Sequence, residues 1–387
     1  MSADFATFAD RDRLVDRLQQ LVRTPSENPP GEEAAAAALT AGLCDELGLE
    51  VEQHEAEPGR PSVVARWRGS AGPTLCYCSH IDVVPAGDPT LWDRDPYSGA
   101  IEDGRLLGRG SSDAKGPVAA ALEAVSILRR AGWEPQGTLE LALVADEETM
   151  GFKGAGYLVE EKILAPDVAI VGEPTSLRVV RAQRGASWFR LTTRGVAGHG
   201  SAPERGVNAI KHMAEVLLHL EDTLPDVTHP LLGGATVNVG TIRGGEKVNI
   251  IPAACVAEID RRTVPGETRE SVIAGIEEAV DRARRRFPDV DAHVDLAFFA
   301  EPFEVAAGAR VVTSAVEAIR GTTGRDVDVI GFRGASDARF LFETGADVIV
   351  CGPGDITLAH TARESIDLAE LEQGAIAYAK TFAALLS

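Results

Sequence analysis

Short apolar runs alternate with helical stretches up to about residue 173, give way to a different pattern, and return after residue 300. That interruption constrains the fold of this 387-residue chain more than any other feature. Helices are expected over 10–22, where Leu14, Val15, Leu18, Leu21 and Val22 recur at helical spacing, and over 32–47. Asn28-Pro29-Pro30-Gly31 between them is a rigid turn. An alanine-rich helix is expected over 114–131, capped near Asp113 and closed by Gly132. Strands alternating with helices imply an α/β domain whose largely parallel sheet is covered on both faces. From about Arg178 the order is strand (187–194), helix (204–220), strands (235–243 and 253–262), helix (269–286) and strand (291–299). This βαββαβ order is the plan of a ferredoxin-like α+β sandwich. The smaller domain, 179–299, is therefore inserted between two parts of the larger, 1–178 and 300–387.

The apolar runs of the larger domain end in acidic or histidine clusters. His80-x-Asp82 follows Leu75-Cys76-Tyr77-Cys78-Ser79, Glu147-Glu148 follows 139–146, Glu173 follows 168–172, and His360 comes soon after 348–351. In α/β sheets, ligands collect outside the carboxyl ends of the strands. One such residue is ordinarily a solvated loop side chain; three strands ending this way, with Asp113 and His360, argue against coincidence. His80 and Asp82 share one face of an extended backbone, so the carboxylate can orient the imidazole. Asp113 near a helix N-terminus favours its ionised form and suits a bridge between two cations. Of the adjacent Glu147 and Glu148, a turn lets one ligate while the other serves as a base. The set points to a two-metal hydrolase.

Composition removes other classes. A formal charge of −21 argues against nucleic-acid binding, which needs a basic surface. No apolar run approaches the roughly 20 residues that cross a bilayer, so no membrane partner is expected. Met1-Ser2-Ala3-Asp4-Phe5 has neither a basic start nor an apolar core, so no secretory leader is expected. Five cysteines without paired spacing fit a reducing cytoplasm, and Cys76 and Cys78 read as small core residues. Gly108-Arg109-Gly110 lacks the spacing of a phosphate loop. Only six of the 38 basic residues are lysines, a bias that fits a GC-rich genome.

The clusters sit in longer motifs. Ser79-His80-Ile81-Asp82-Val83-Val84-Pro85 leads to Trp92, to 95–99 and to Gly108-Arg109-Gly110-Ser111-Ser112-Asp113-Ala114-Lys115-Gly116. Asp146-Glu147-Glu148, Gly172-Glu173-Pro174-Thr175, Gly198-His199-Gly200-Ser201, Asn249-Ile250-Ile251-Pro252, and Gly352-Pro353-Gly354 with His360 and Glu364 follow in order. Together these closely resemble the M20 metallopeptidase family, over nearly the whole chain. The resemblance implies a dizinc aminopeptidase-like catalytic domain with an inserted lid/dimerisation domain. It implies one zinc on His80, Asp113 and Glu173 and another on Asp113, Glu148 and His360, with Co2+ able to substitute. Asp82 would orient His80, and Glu147 would be the general base and acid. His199 would reach a partner subunit's active site in a homodimer. The remaining histidines match no motif.

Which substrate is less sharply drawn. Segments 172–182 and 205–210 resemble acetylornithine deacetylases. Arg184-Gly185-Ala186-Ser187 and Gly334-Ala335-Ser336-Asp337 look more like the succinyl-diaminopimelate desuccinylases, although Ala335 stands where that branch has threonine. Arg262, Asn249, Arg184 and Ser336 are the expected substrate contacts; a guanidinium binds a carboxylate bidentately, which favours Arg262 over a mere surface ion pair. The expected activity is a cytoplasmic, dizinc amidohydrolase of amino-acid biosynthesis. It would remove a short acyl group from an N-acyl amino acid, most like the acetylornithine deacetylase branch. Desuccinylase, dipeptidase or carboxypeptidase activity is the same-chemistry alternative, and a non-catalytic metal- or ligand-binding relative the alternative from another class.

Overall fold

The computed structural model describes residues 4–387. The leader reading rests partly on residues 1–3, outside the described residues. The chain forms two compact units. One comprises the residues up to Arg181 with Val305–Ile330 and Ser336–Ser387, and the other Ala182–Glu304 with Gly331–Ala335.

In the first unit the strands lie in the spatial order Glu50–Glu55, Pro61–Arg68, Gln136–Val144, Ser70–His80, Val168–Val171 and Asp347–Val350. The last four pair parallel. Leu75, Tyr77, Leu139, Leu141 and Leu143 are buried because both faces of this part are covered. The expected sheet was largely parallel; the observed one is mixed. Glu50–Glu55 and Pro61–Arg68 form an antiparallel hairpin at one edge, and Val179–Gln183 meets Asp347–Val350 antiparallel at the other. Strand direction leaves no trace in apolar period, so the sequence could not report it.

The helix Lys115–Arg130 packs against Leu368–Leu385 and is buried along nearly its whole length. Its alanines (Ala119, Ala120, Ala121 and Ala124) are what permit that close approach. Asp113 is not its cap: Ala114 holds that position without a side-chain bond, which leaves the Asp113 carboxylate for other partners. The first two helices run Arg11–Val22 and Ala34–Glu46.

The second unit is a four-stranded antiparallel sheet ordered Thr236–Gly244, Ala254–Thr263, Gly185–Arg194 and Asp291–Ala300. Helices Ala209–Leu218 and Arg269–Arg286 cover one face around Phe189, Leu191, Ala257, Ile259, Val272 and Ile276. Burying each large apolar side chain there contributes about 1.5–3 kcal/mol. The first helix starts later than the expected residue 204. Pro203–Arg205 makes a single 3-10 turn, Gly206 is extended, and Asn208 caps the helix by accepting the Lys211 N–H.

All five cysteines are free and buried, and burial pushes the Cys44 and Cys351 thiols up to about 12. Among the described residues no helix is long and apolar enough to cross a membrane.

At the end of Val168–Val171, Gly172 is packed so closely that a Cβ would stand 1.9 Å from the Tyr77 hydroxyl, itself hydrogen-bonded to Pro117 O. Gly172→Ala therefore overpacks the base of the site. We expect a loss of about 1–3 kcal/mol, read from the urea midpoint, with a larger relative loss of activity because Glu173 is the next residue.

Candidate active site

His80 closes the strand Ser70–His80. Its Nδ1 lies 2.9 Å from the backbone carbonyl of Asp82, an acceptor only, so Nδ1 donates. In the neutral ring this leaves a lone pair on Nε2. That lone pair faces Asp113 Oδ1 at 3.2 Å and Glu173 Oε2 at 4.0 Å. The other Asp113 oxygen, Oδ2, lies 3.3 Å from His360 Nε2, which is also 3.0 Å from Glu148 Oε2. Glu148 Oε1 is held by the Val84 N–H at 3.1 Å. Two groups thus form, His80–Asp113–Glu173 and Asp113–Glu148–His360. In each, the candidate ligand atoms lie within 4.8 Å of one another. One carboxylate belongs to both.

The donor set fits cations. A lone pair directed at carboxylate oxygens is repulsive unless a proton or a metal lies between. Buried Glu173 Oε1 has no hydrogen-bond partner, which leaves it available as a ligand. The electrostatics say the same. Burial opposes charge on His80, but Asp113, Asp82, Glu173 and Glu147 outweigh it and raise its pKa well above the usual value. Asp113 and Glu148 raise His360 to about 10. Burial also opposes charge on Asp113, yet the two imidazoles hold its carboxyl well below the usual range. Burial, followed by the charge of Glu173, raises Glu147 far above a normal carboxyl, with Glu148 a lesser contributor. The field calls for positive charge at the two places where the triads converge.

Asp82 faces His80, as its expected role requires, and makes further contacts. The hydrogen bond that orients His80 comes from the Asp82 backbone, while its carboxylate Oδ1 stands 3.6 Å from Nδ1. The carboxylate also accepts the main-chain N–H groups of Glu147 (3.3 Å) and Glu148 (3.2 Å). It thereby holds the turn Glu147–Thr149, which the left-handed Asp146 and Met150 bracket.

Sequence reading missed what stands behind that turn. Asn28, taken only as part of a rigid turn, donates from Nδ2 to Asp82 Oδ2 (2.8 Å) and Thr149 Oγ1 (2.9 Å). Thr149 in turn donates to Asp146 Oδ1 at 2.8 Å, and buried Arg60 pairs with both Asp146 and Glu33. A polar side chain beside two prolines was the available signal for Asn28.

Of the expected substrate contacts, Ser336 is buried in the first unit, just ahead of helix Ala338–Glu343. His199, Asn249, Arg262 and Arg184 belong to the second unit. There His199 and Asn249 come together: Gly200 N donates to Asn249 O at 2.9 Å, and His199 bridges Ile250. His199 is exposed, and its Nδ1 accepts the Ser201 N–H at 3.2 Å, so the neutral ring carries its proton on Nε2. Arg262 is held by Asp260 at 3.0 Å. Arg184 is spent on carbonyls: its Nη2 donates to Leu232 O (2.6 Å) and Gly234 O (2.8 Å), fastening a hairpin rather than standing free.

Comparison with known proteins agrees with this geometry. The sequence profile of peptidase family M20/M25/M40 matches residues 76–384. A succinyl-diaminopimelate desuccinylase of Paracidovorax citrulli is 31% identical over 378 residues, spanning 93% of this chain and 94% of the relative. An acetylornithine deacetylase of Aliivibrio fischeri is 30% identical over 364 residues, 90% of this chain and 92% of the relative. In fold, the chain is similar to the aminopeptidase PepT of Bacillus cereus. There the TM-score is 0.83 at 23% identity, over 98% of this chain and 100% of that one. It is also similar to the Bacillus subtilis YXEP protein, a dinuclear metal-binding peptidase of the M20 family. That match has a TM-score of 0.76 at 16% identity, over 97% and 98% of the two chains. The protein is a hydrolase of amide bonds. It belongs to peptidase family M20/M25/M40.

Asn28→Ala removes a buried hydrogen bond to a charged group, an interaction of about 1.5–3 kcal/mol. Turnover should fall about tenfold or more while the protein still folds. Asn28→Asp, which sets a second carboxylate against Asp82, should be worse, as steady-state rates and melting curves on both variants will show.

Proposed function

We propose that this protein is a dinuclear zinc amidohydrolase that removes a short acyl group from an N-acyl amino acid, most like an acetylornithine deacetylase. The observation that carries the reading is the Asp113 carboxylate, which offers one oxygen to each of two imidazole-containing triads. His80, Asp113 and Glu173 would hold one cation, and Asp113, Glu148 and His360 the other. The nitrogen and oxygen donors suit zinc, with cobalt as a replacement. Bound there, two such cations polarise an amide carbonyl and acidify the attacking water.

The chain supplies the rest. Glu147, whose carboxyl is raised by burial and Glu173 and would be lowered again by the two cations, takes a proton from the attacking water and delivers it to the leaving amine nitrogen. Asp82 keeps that turn in place through two main-chain amides. His199, with its proton on Nε2, is assigned to the oxyanion in the site of a partner subunit. This makes the second unit both a lid and a dimerisation domain. Arg262 would exchange Asp260 for the substrate carboxylate; Asn249, which lies next to His199, and Ser336 are the other assigned substrate contacts. Arg184 acts through the hairpin that it fastens. The reading places the enzyme in the cytoplasm, in amino-acid biosynthesis, as a homodimer.

Desuccinylase activity is the second reading, favoured by relatives of that name at the same level of identity. Ala335 beside Ser336 counts against it. Steady-state kcat/KM on N-acetylornithine, N-succinyl-diaminopimelate and a dipeptide panel decides. We expect N-acetylornithine to lead; a preference for either other class would overturn the assignment. Glu147→Ala should retain both metals by elemental analysis yet lose nearly all turnover. Arg262→Ala should raise KM for carboxylate-bearing substrates about tenfold or more, with a smaller effect on kcat.

A further inference from the structure

Glu364 is buried four residues beyond His360, and the main-chain and guanidinium groups around its carboxylate are donors. Oε1 accepts the main-chain N–H groups of Ser112 and Asp113, each at 3.1 Å. Oε2 accepts Arg109 Nη1 at 2.5 Å. Arg109 is equally buried, lies 5.2 Å from the Trp92 ring centroid, and reaches Thr361 O and Pro85 O at 3.4 Å. Gly108 N also donates to the Glu364 backbone carbonyl at 3.1 Å. Three segments meet here: the one that follows His80, the one that leads to Asp113, and the one that carries His360.

We propose that Glu364, balanced by Arg109, is a positioning residue that sets the Asp113 carboxylate against the His360 imidazole. The proposal rests on the two-cation reading of the site. Only an ionised carboxylate satisfies donors on both sides; an amide has one accepting end and one donating end. A buried anion this close to Asp113 is unfavourable unless its partners are well placed, and Arg109 with the two amides supplies such partners. The result is a stiff clasp between segments some 250 residues apart in sequence. Because Asp113 serves both triads, loosening the clasp acts on both cations together. Loss of His360 acts on one.

Cobalt(II) titration of the metal-stripped protein tests this, followed by visible absorption and equilibrium dialysis, with thermal melting alongside. Wild type should bind two ions, and His360→Ala should weaken one of them. Glu364→Gln, nearly isosteric, should melt below wild type, because Arg109 loses its charged partner, and once folded should bind both ions about 10–100-fold more weakly, the range typical of groups that support metal ligands. Wild-type affinity for both ions in folded Glu364→Gln overturns the proposal. Should Glu364→Gln fail to fold, Arg109→Lys decides, because it keeps the charge and loses the fork. Weakened binding of both ions supports the clasp, and unchanged binding overturns it. A wild-type protein that takes up fewer than two ions refutes the two-cation reading itself, and the clasp with it.

Discussion

The site depends on a carboxylate shared between two imidazoles. Asp113 presents one oxygen to His80 and the other to His360, at nearly equal distances, and the remaining acidic groups gather around that pair. Five carboxylates that converge on two histidines repel one another, and such a cluster persists only when positive charge sits among them. The imidazoles respond by holding their protons far more tightly than free histidine does. Divalent ions at the same points would relieve the same repulsion more strongly. Compensation of charge, more than packing, therefore explains how so many acids are held at one sheet edge.

The carboxylates of Asp82 and Glu364 help to hold the arrangement by bonding to main-chain amides. Asp82 takes the N–H groups of Glu147 and Glu148, and Glu364 takes those of Ser112 and Asp113. Each fixes a turn whose side chains must then point into the site. Behind Asp82 stands a relay from Asn28 through Thr149 and Asp146 to Arg60. Behind Glu364 stands Arg109. Buried hydrogen-bonded groups of this kind stiffen their surroundings, and stiffness is what a ligand set spread over five separate segments requires.

Much of this was legible in the sequence because it depends on local pattern. The apolar runs that end in His80, Glu147-Glu148 and Glu173 mark strands by their period, and ligands gather where such strands end. The βαββαβ order of the second unit followed from alternation and helical spacing alone. Less legible were features that depend on direction or on main-chain contacts. The antiparallel hairpin of Glu50–Glu55 and Pro61–Arg68 has the same apolar period as a parallel pair. The Asp82 carboxylate, expected beside the His80 imidazole, also holds an amide 65 residues away. Asn28 and Arg109 showed only as a turn residue and a member of a motif, because neither lies beside its partner in the chain.

Chain order has a further consequence for how the protein is made. During synthesis the residues of the first triad, His80, Asp113 and Glu173, emerge from the ribosome well before the second unit is complete. The second triad waits for His360, which follows the whole of the second unit in the chain, and so does the Glu364 clasp. A nascent chain can thus gather one cluster of ligands early, but it cannot assemble the second until the segment after the second unit has been added. A chain that stops before His360 therefore carries no finished pair of triads into the cell.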